Sequence, residues 1–423
     1  MSDRYTPQSG DPSFDVESYE LDLSYRVRVN RLEGRAIVNA IAAQPLPSFS
    51  LDFIGLRASR VRVDGDRRTT FRQSQRTLRV TPPAPLRAGE AFSVDIAYAG
   101  APAPRRTRWG AIGWEELEDG ALVASQPIGA PTWFPCNDRP DDRASYRITL
   151  RTDAPYTPIA TGVRTSVGRT GGLTTAIFES RVPTATYLVA AHIGMYRETV
   201  LYGPVPITLA HPAALAAPVR AAFADVPRML QVFADAFGAY PQEACTIVIT
   251  PDELEIPLEA QGLATFGANH LDAASHRLVA HELAHQWFGN SVGLARWEDI
   301  WLNEGFACYA EWIWSEASGG VTADHLARWH HARLKGMPQD LLITDPGPDR
   351  MFDDVIYKRG ALTLHALRTT IGDAAFFDLL RAWTGRHRHS LVTTDDFRAL
   401  VAGTGQSGLL EQWIDRLPLP ALP

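Results

Sequence analysis

Two histidines and a glutamate stand at spacings that could hold a metal ion and activate water. His281 and His285 are four residues apart in the segment SHRLVAHELAHQWFGN, where Ser275 can cap a helix that continues to Gly289. On such a helix both imidazoles share one face, about 6 Å apart along the axis. Glu282 lies about 100° around the helix, poorly placed as a ligand but well placed to contact a bound water. This spacing predicts a zinc site with Glu282 as its general base.

A catalytic zinc ion needs a third protein ligand, and Glu304 is the candidate. Two ordinary core or surface histidines would be a simpler explanation of the pair, and that explanation predicts no third ligand. Glu304 lies in a second helical segment, WEDIWLNEGFACYAEWIW, after the helix breakers Gly289 and Gly293. The short connection lets this segment fold back and direct Glu304 to the same ion. We expect one Zn²⁺ per chain, and we expect Asp299 to orient a zinc histidine through its other ring nitrogen.

The elements that must position these residues change character once along the chain. Apolar and polar residues alternate in ELDLSYRVRV (20–29) and in later short segments, which predicts strands separated by Gly- and Pro-rich turns. Beyond VPITLA (205–210), apolar residues recur every three or four positions, which predicts helices. We therefore expect an α+β fold, with an N-terminal antiparallel β domain (saddle- or sandwich-like) over residues 1–197 and a mainly helical catalytic domain over residues 198–423.

Composition and charge exclude several classes of protein. The 423 residues are 45% hydrophobic and 21% charged, which is typical of a globular chain with two or three cores. A net charge of -7 with scattered Lys and Arg argues against nucleic-acid binding and membrane anchoring. The N-terminal residues have no signal-peptide pattern, and the cysteines are odd in number (Cys136, Cys245 and Cys308). We therefore expect a cytoplasmic protein with small, buried cysteines.

The motifs carry a resemblance to a known family. HELAHQWFGN followed by WLNEGFA resembles the gluzincin aminopeptidase family, which includes aminopeptidase N. Similar motifs occur in the same order at 125–146, 184–194 and 355–368, although Pro131 stands where Arg is usual and Arg143 where Lys is usual. The resemblance implies a thermolysin-like catalytic domain behind the β domain. Longer members continue into a C-terminal helical domain, so we expect a short form with a more open cleft.

The resemblance also implies roles for residues outside the zinc motif. DELEIPLEAQG (252–262) falls where the family has its substrate-recognition loop, and Glu259 matches the residue that pairs with the free α-amine of the substrate. The family writes this loop Gly-Ala-Met-Glu-Asn, and only the Glu is kept. Gln126 matches a polar position that helps to hold the amine or the first side chain. Tyr357 matches the tyrosine that stabilises the oxyanion of the reaction.

Together these residues predict a zinc aminopeptidase. Peptides with a free N-terminus would be its substrates, and a zinc-activated water, with Glu282 as base, would cleave the first peptide bond. Two alternatives remain open. One is a zinc hydrolase of the same fold with another specificity, such as an endopeptidase or an epoxide hydrolase, because the recognition loop is altered. The other is a scaffold that has kept the fold without catalysis.

Overall fold

The computed structural model describes residues 3–423, and as far as Gly194 they form mainly strands. In the first strand Leu21, Leu23 and Tyr25 are buried while Asp22 faces solvent, as the sequence alternation predicts. The strands of this part are β1 (Phe14–Arg26), β2 (Arg31–Ala42), β3 (Phe49–Asp52), β4 (Arg57–Val63), β5 (Thr70–Gln73), β6 (Thr77–Thr81), β7 (Ala91–Gly100), β8 (Arg105–Thr107), β9 (Gly110–Leu117), β10 (Gly120–Ala124), β11 (Arg143–Asp153), β12 (Thr157–Ala160), β13 (Val163–Thr170), β14 (Leu173–Ala185) and β15 (Ala191–Gly194).

Three sheets make up the β domain. Their strand orders are β13-β14-β11-β1-β2-β7-β4, β12-β15-β10-β9-β8 and β3-β6-β5. In the largest sheet neighbouring strands are antiparallel, except that β1 and β11 run parallel from Ser18 beside Ser145 to Tyr25 beside Thr152. The expected antiparallel β domain is confirmed, with the one exception that β1 and β11 pair in parallel at the centre of the largest sheet. A parallel pair depends on a long crossover, which the alternation within one strand does not reveal.

The second part combines a small mixed sheet with helices. The remaining strands are β16 (Tyr196–Tyr202), β17 (Pro206–Pro212), β18 (Cys245–Ile249), β19 (Leu258–Ala260), β20 (Leu263–Phe266), β21 (Gly293–Leu294) and β22 (Leu391–Val392). The helices are α1 (Ala216–Ala222), α2 (Val226–Phe237), α3 (His276–Ala284), α4 (Trp301–Ala317), α5 (Ala323–Lys335), α6 (Asp354–Ile371), α7 (Asp373–Arg386), α8 (Thr394–Ala402) and α9 (Ser407–Ile414). The main sheet has the order β16-β17-β18-β20-β19, so β19 lies at its edge beside the helices. No helix within residues 3–423 combines the length and apolar character needed to cross a membrane.

Two glycines allow α4 and α6 to approach each other closely. A Cβ atom placed on Gly305 would lie 2.8 Å from the Cα atom of Gly360, which is shorter than real contacts of this kind. Gly305 directly follows Glu304, and Gly360 lies one turn beyond Tyr357. The close crossing therefore brings Glu304 of α4 and Tyr357 of α6 close together.

A segment at the start of the chain, residues 3–11, connects the two parts, and we call it the N-terminal strap. At one end the carboxylate of Asp3 accepts a hydrogen bond from the backbone N–H of Trp297, at 2.8 Å. At the other end the backbone N–H of Gly10 donates to Asp52 of β3, also at 2.8 Å. The strap thus joins the β domain to the turn that leads into α4.

Candidate active site

His281 and His285 lie at the end of α3 rather than inside a longer helix. α3 ends at Ala284, well before the predicted Gly289, and the side chain of Ser275 does not cap it. His285 keeps right-handed helical backbone angles as the first residue past the end, so its imidazole stays on the same face as that of His281. The two ring centroids are 4.8 Å apart. The two imidazoles therefore share one face, as their spacing predicts, although the predicted helix is too long.

The Nδ1 atom of each histidine meets a hydrogen-bond acceptor. Nδ1 of His281 donates to Glu311 Oε1 at 2.8 Å, and Nδ1 of His285 donates to the carbonyl of Phe288 at 3.0 Å. Because a carboxylate and a carbonyl only accept, these contacts place a proton on each Nδ1 and leave each Nε2 lone pair free to bind a metal. Both Nε2 atoms face Glu304 Oε2, at 3.4 Å from His281 and 3.5 Å from His285.

Three acceptors at these separations fit a cation between them. Two ligand atoms on a tetrahedral zinc ion, with bonds of about 2.0–2.1 Å, lie roughly 3.3 Å apart. Burial is the largest single influence and lowers the pKa of His285, but the charges of Glu304 and Glu259 and the hydrogen bond to Glu304 together hold that pKa above its usual value. The negative charge that stabilises a proton on His285 would equally stabilise a metal cation bound to the same ring nitrogen. The donor set of two imidazoles and one carboxylate, all buried, is typical of zinc.

Glu282 lies next to a second carboxylate, that of Glu259. One ligand atom each of Glu259, Glu282 and His285 lie within 4.8 Å of one another. Glu282 is only 4% exposed, and its Oε2 atom has no hydrogen-bond partner within residues 3–423. Burial raises the pKa of both carboxyl groups, and the charge of Glu259 raises that of Glu282 further. A buried carboxylate without a partner is costly, so this place suits a water molecule or a cationic group.

The residues just beyond His285 hold Glu259 in place. Gln286 and Asn290 both donate from their side-chain amides to the carbonyl of Ala260, at 3.0 and 2.8 Å. The backbone N–H of Gly262 donates in return to the Gln286 side chain at 2.8 Å. These contacts attach β19 to the C-terminal end of α3. Sequence reasoning missed Gln286 and Asn290, because a polar residue beside a motif gives no sign that it is buried.

Tyr357 and Gln126 lie in the same cleft as the acidic groups. The ring of Tyr357 lies nearly parallel to that of His281, with an interplanar angle of 22° and centroids 5.9 Å apart. Burial raises the pKa of Tyr357, and the charges of Glu304 and other nearby carboxylates raise it further, so its hydroxyl stays protonated and can donate. Gln126 lines the cleft, and its Nε2 atom lacks a partner among the described residues.

Asp299 is the predicted site residue that the structure places elsewhere. Its Oδ1 atom accepts hydrogen bonds from the backbone N–H and the hydroxyl of Thr394, at 2.9 and 2.6 Å, at the start of α8. The prediction that Asp299 orients a zinc histidine is therefore wrong. Glu311 contacts His281 instead. It lies two turns beyond Glu304 on α4, and this seven-residue spacing on one helix face is the signal that the sequence offered.

The site opens into a cleft of about 670 Å³. α3, α5, α6 and the segment leading into β19 contribute its walls. Besides the residues already described, the lining includes Leu258, Arg277, Leu278, Leu326, Trp329 and Phe352. The lining of the cleft thus combines acidic groups with apolar side chains.

Comparison with known proteins finds one family over most of the chain. The family model of the Peptidase M1 N-terminal domain matches residues 15–188, and that of the Peptidase family M1 domain matches residues 221–413. A crystal structure of an M1 zinc metallopeptidase mutant from Deinococcus radiodurans, bound to a Tyr-Ser-Ala substrate, has 32% sequence identity and a TM-score of 0.92. That similarity covers 100% of this chain and 99% of the other.

Two curated relatives are much longer proteins. Aminopeptidase M1-A of Oryza sativa subsp. japonica is 29% identical over 341 residues, and Endoplasmic reticulum aminopeptidase 1 of Homo sapiens is 29% identical over 364 residues. The matches cover 73% and 76% of this chain. They cover only 38% and 37% of the two relatives, so the chain spans less than two fifths of their length.

Proposed function

This chain belongs to peptidase family M1, whose members are zinc metallopeptidases, and from its site geometry we propose that it is an aminopeptidase. It would remove the N-terminal residue of peptides that have a free α-amine. The observation that carries the proposal is the position of Glu259, whose carboxylate lies within 4.8 Å of ligand atoms of both Glu282 and His285. An ammonium group held there places the first peptide bond, and no later one, beside the catalytic groups.

His281, His285 and Glu304 would hold one zinc ion per chain. Their buried donor atoms, and the acceptors that fix both imidazoles, support this assignment. When bound, zinc supplies a Lewis acid that lowers the pKa of a water molecule and polarises a carbonyl group. Zinc content of the purified protein, with and without His285→Ala, tests the assignment.

Glu282 would transfer the proton of the reaction, and Tyr357 would donate a hydrogen bond. The Glu282 carboxylate takes a proton from the attacking water and returns it to the leaving amine, a role that suits a buried carboxyl group with a raised pKa. The Tyr357 hydroxyl donates a hydrogen bond to the developing oxyanion. Such a donor contributes about 3 kcal/mol of transition-state stabilisation.

Glu259 would bind the free amine of the substrate, with Gln126 beside it. Glu282 is buried and Glu259 is half-buried, so bringing a cationic ammonium group between them relieves their mutual repulsion. A peptide with a blocked N-terminus has no such charge. The geometry therefore supports exopeptidase rather than endopeptidase activity.

The test compares aminoacyl amides with their N-acetylated forms. We expect wild type to cleave only the free amines, Glu282→Gln to lose activity on all of them, and Glu259→Ala to lose the preference for a free amine. Activity that survives Glu282→Gln would contradict the mechanism. Efficient cleavage of acetylated peptides, or hydrolysis of epoxides in place of amides, would favour the other zinc hydrolases on this fold.

We propose that the protein is cytoplasmic, because its three cysteines are not paired in disulfides. Cys136, Cys245 and Cys308 are buried and remain free thiols. Unpaired cysteines are typical of a reducing compartment. Fractionation of cells with an antibody to the protein tests this, and recovery from the medium or the periplasm would contradict it.

A further inference from the structure

The residues near the two ends of α3 indicate which way a bound peptide chain runs through the cleft. This inference rests on the proposed function. At the C-terminal end, Gln286 and Asn290 hold the strand that carries Glu259. At the N-terminal end, Arg277 donates to Glu311 at 3.2 Å, and Glu311 in turn accepts from His281. A peptide whose amine binds at Glu259 therefore continues past His281 towards Arg277.

Helix α5 forms the wall of the cleft on that side. His330 of α5 stacks on Trp312 of α4, with centroids 5.2 Å apart and an interplanar angle of 10°. Trp312 directly follows Glu311 on α4, so this contact places α5 beside the stretch of α4 that holds Arg277 and His281. Leu326, Trp329 and Arg333 recur at helical spacing and all line the cleft. The downstream part of the peptide thus meets one face of α5.

Trp329 on this face is unusually exposed. Its side chain is 57% exposed, whereas other large tryptophans of the catalytic domain, such as Trp287, Trp301 and Trp312, are almost fully buried. The ring is nonetheless supported, because it packs edge-on against His330 at 4.5 Å and Arg333 lies over it at 6.0 Å. An exposed, supported aromatic surface in a cleft is suited to stacking with a ligand.

The neighbouring cations have partners of their own. Arg333 pairs with Asp354 at the start of α6, and Arg277 pairs with Glu311. Their charges are therefore largely balanced within the protein, and an acidic ligand would have to compete for them. A peptide can contact the apolar surface of Trp329, next to Leu326, without displacing an ion pair of the protein.

We propose that Trp329 is a specificity-determining residue that binds a large apolar side chain, above all an aromatic one, in the peptide segment downstream of the scissile bond. The substrate class is accordingly short peptides with a free N-terminus and an aromatic residue at the second or third position. The amine site at Glu259 selects the end of the peptide. Trp329 selects the side chain on the far side of the cleaved bond.

The test uses the zinc-loaded protein and four substrates: Ala-Phe-Gly, Ala-Gly-Phe, Ala-Gly-Gly and alaninamide. We expect wild type to prefer one of the two Phe peptides over Ala-Gly-Gly in kcat/KM. In Trp329→Ala this preference falls about tenfold, since an aromatic contact of this kind contributes about 1.4 kcal/mol. Trp329→Phe retains most of it. Tyr202→Ala, which removes an 89% exposed aromatic from β16, is the matched control and keeps the wild-type preference.

Two outcomes would overturn the inference. One is an unchanged Phe preference in Trp329→Ala. The other is an equal loss on Ala-Gly-Gly and alaninamide, which would show a general structural effect. A binding measurement separates this inference from the proposed function: the same peptides are titrated into Glu282→Gln with and without Trp329→Ala. Binding to Glu282→Gln that depends on Trp329 would support the subsite, whereas a wild-type protein that cleaves none of the four substrates would contradict the proposed reaction alone.

Discussion

Glu311 determines how His281 can act as a ligand. Its carboxylate accepts from Nδ1 of His281. Burial raises the pKa of Glu311, but the charge of Lys358, the hydrogen bond to His281 and the charge of Arg277 together lower it, so the carboxylate stays charged. We predict that Glu311→Gln weakens zinc binding by about 10- to 100-fold, because the amide keeps a hydrogen bond to the imidazole but loses the charge that raises its basicity. Competition with a chelator measures the affinity.

Glu316→Gln provides the control for that experiment. Glu316 lies farther along α4 on the surface, where it pairs with Arg368. The substitution removes the same charge from the same helix without contact to a zinc histidine. Equal zinc affinity in wild type and Glu311→Gln would contradict the role of Glu311.

A pair of buried carboxyl groups in the β domain should make its stability depend on pH. Asp52 accepts from the backbone N–H of Asp138 at 3.1 Å, and Asp138 Oδ2 has no partner in the part of the chain that the structure describes. Burial raises the pKa of both groups, and the charge of Asp52 raises that of Asp138 further. A proton is therefore kept in the folded state at a pH where the unfolded chain has lost it.

The sign of this effect gives a prediction for Asp138→Asn. In wild type the free energy of unfolding should fall as the pH rises from about 4 to about 8, because over that range the folded state still holds a proton on Asp138 that the unfolded chain has already released. Asp138→Asn should flatten that slope by up to about 1.4 kcal/mol per pH unit. Urea unfolding between pH 5 and 9 measures it, and identical slopes in the two proteins would contradict the raised pKa of Asp138.

At the scale of elements, the crossing of α4 and α6 positions the catalytic groups. Gly305 and Gly360 leave no room for a Cβ atom between the helices. We predict that Gly360→Ala moves the helices apart, lowers the melting temperature and reduces kcat by about 10- to 100-fold, because Glu304 and Tyr357 lie on opposite sides of this contact. Thermal unfolding and steady-state kinetics measure the two effects.

Gly385→Ala is the matched control for the helix crossing. Gly385 lies in α7, and a Cβ atom there would meet nothing within 4 Å. Alanine favours a helix over glycine by up to about 1 kcal/mol, so this variant should be as stable as wild type or more so. An unchanged kcat in Gly360→Ala would show that the close approach does not control the site.

The sequence predicts the cluster of His281, His285 and Glu304 but not the groups that orient it, for a physical reason. His281, Glu282 and His285 are related by the geometry of one helix, so their relative positions follow from their spacing. Asp299 and Glu311 were both available to orient His281, and the choice depended on how separate segments pack. Thr394, 95 residues farther along the chain, donates a hydrogen bond to Asp299. The parallel pairing of β1 with β11 escaped prediction for the same reason, since no local pattern records a distant partner.

At the scale of the whole molecule, the N-terminal strap holds the two parts together. The Tyr5 hydroxyl donates to Asp345 at 2.5 Å and accepts from the backbone N–H of Gly347 at 2.8 Å. Asp3 accepts from Trp297. We predict that Tyr5→Phe combined with Asp3→Ala lowers the free energy of unfolding by about 1–3 kcal/mol, because it leaves buried backbone groups without partners. Chemical denaturation measures the loss.

Asp66→Ala serves as the control for the strap. Asp66 lies in an exposed turn of the β domain, where its carboxylate contacts Arg68. Its removal changes the net charge by the same amount as Asp3→Ala without touching the junction of the two parts. A strap variant as stable as Asp66→Ala would show that these hydrogen bonds are not needed to join the domains.

The strap also has a consequence for synthesis on the ribosome. Asp3 is translated 294 residues before its partner Trp297, and Tyr5 is translated 340 residues before Asp345. At about 5–20 residues per second, this delay is on the order of tens of seconds. The nascent β domain therefore has time to fold while its first residues wait for contacts. The junction closes only after residues 297 to 347 have emerged, so any chain that stops before residue 297 leaves these polar groups unused.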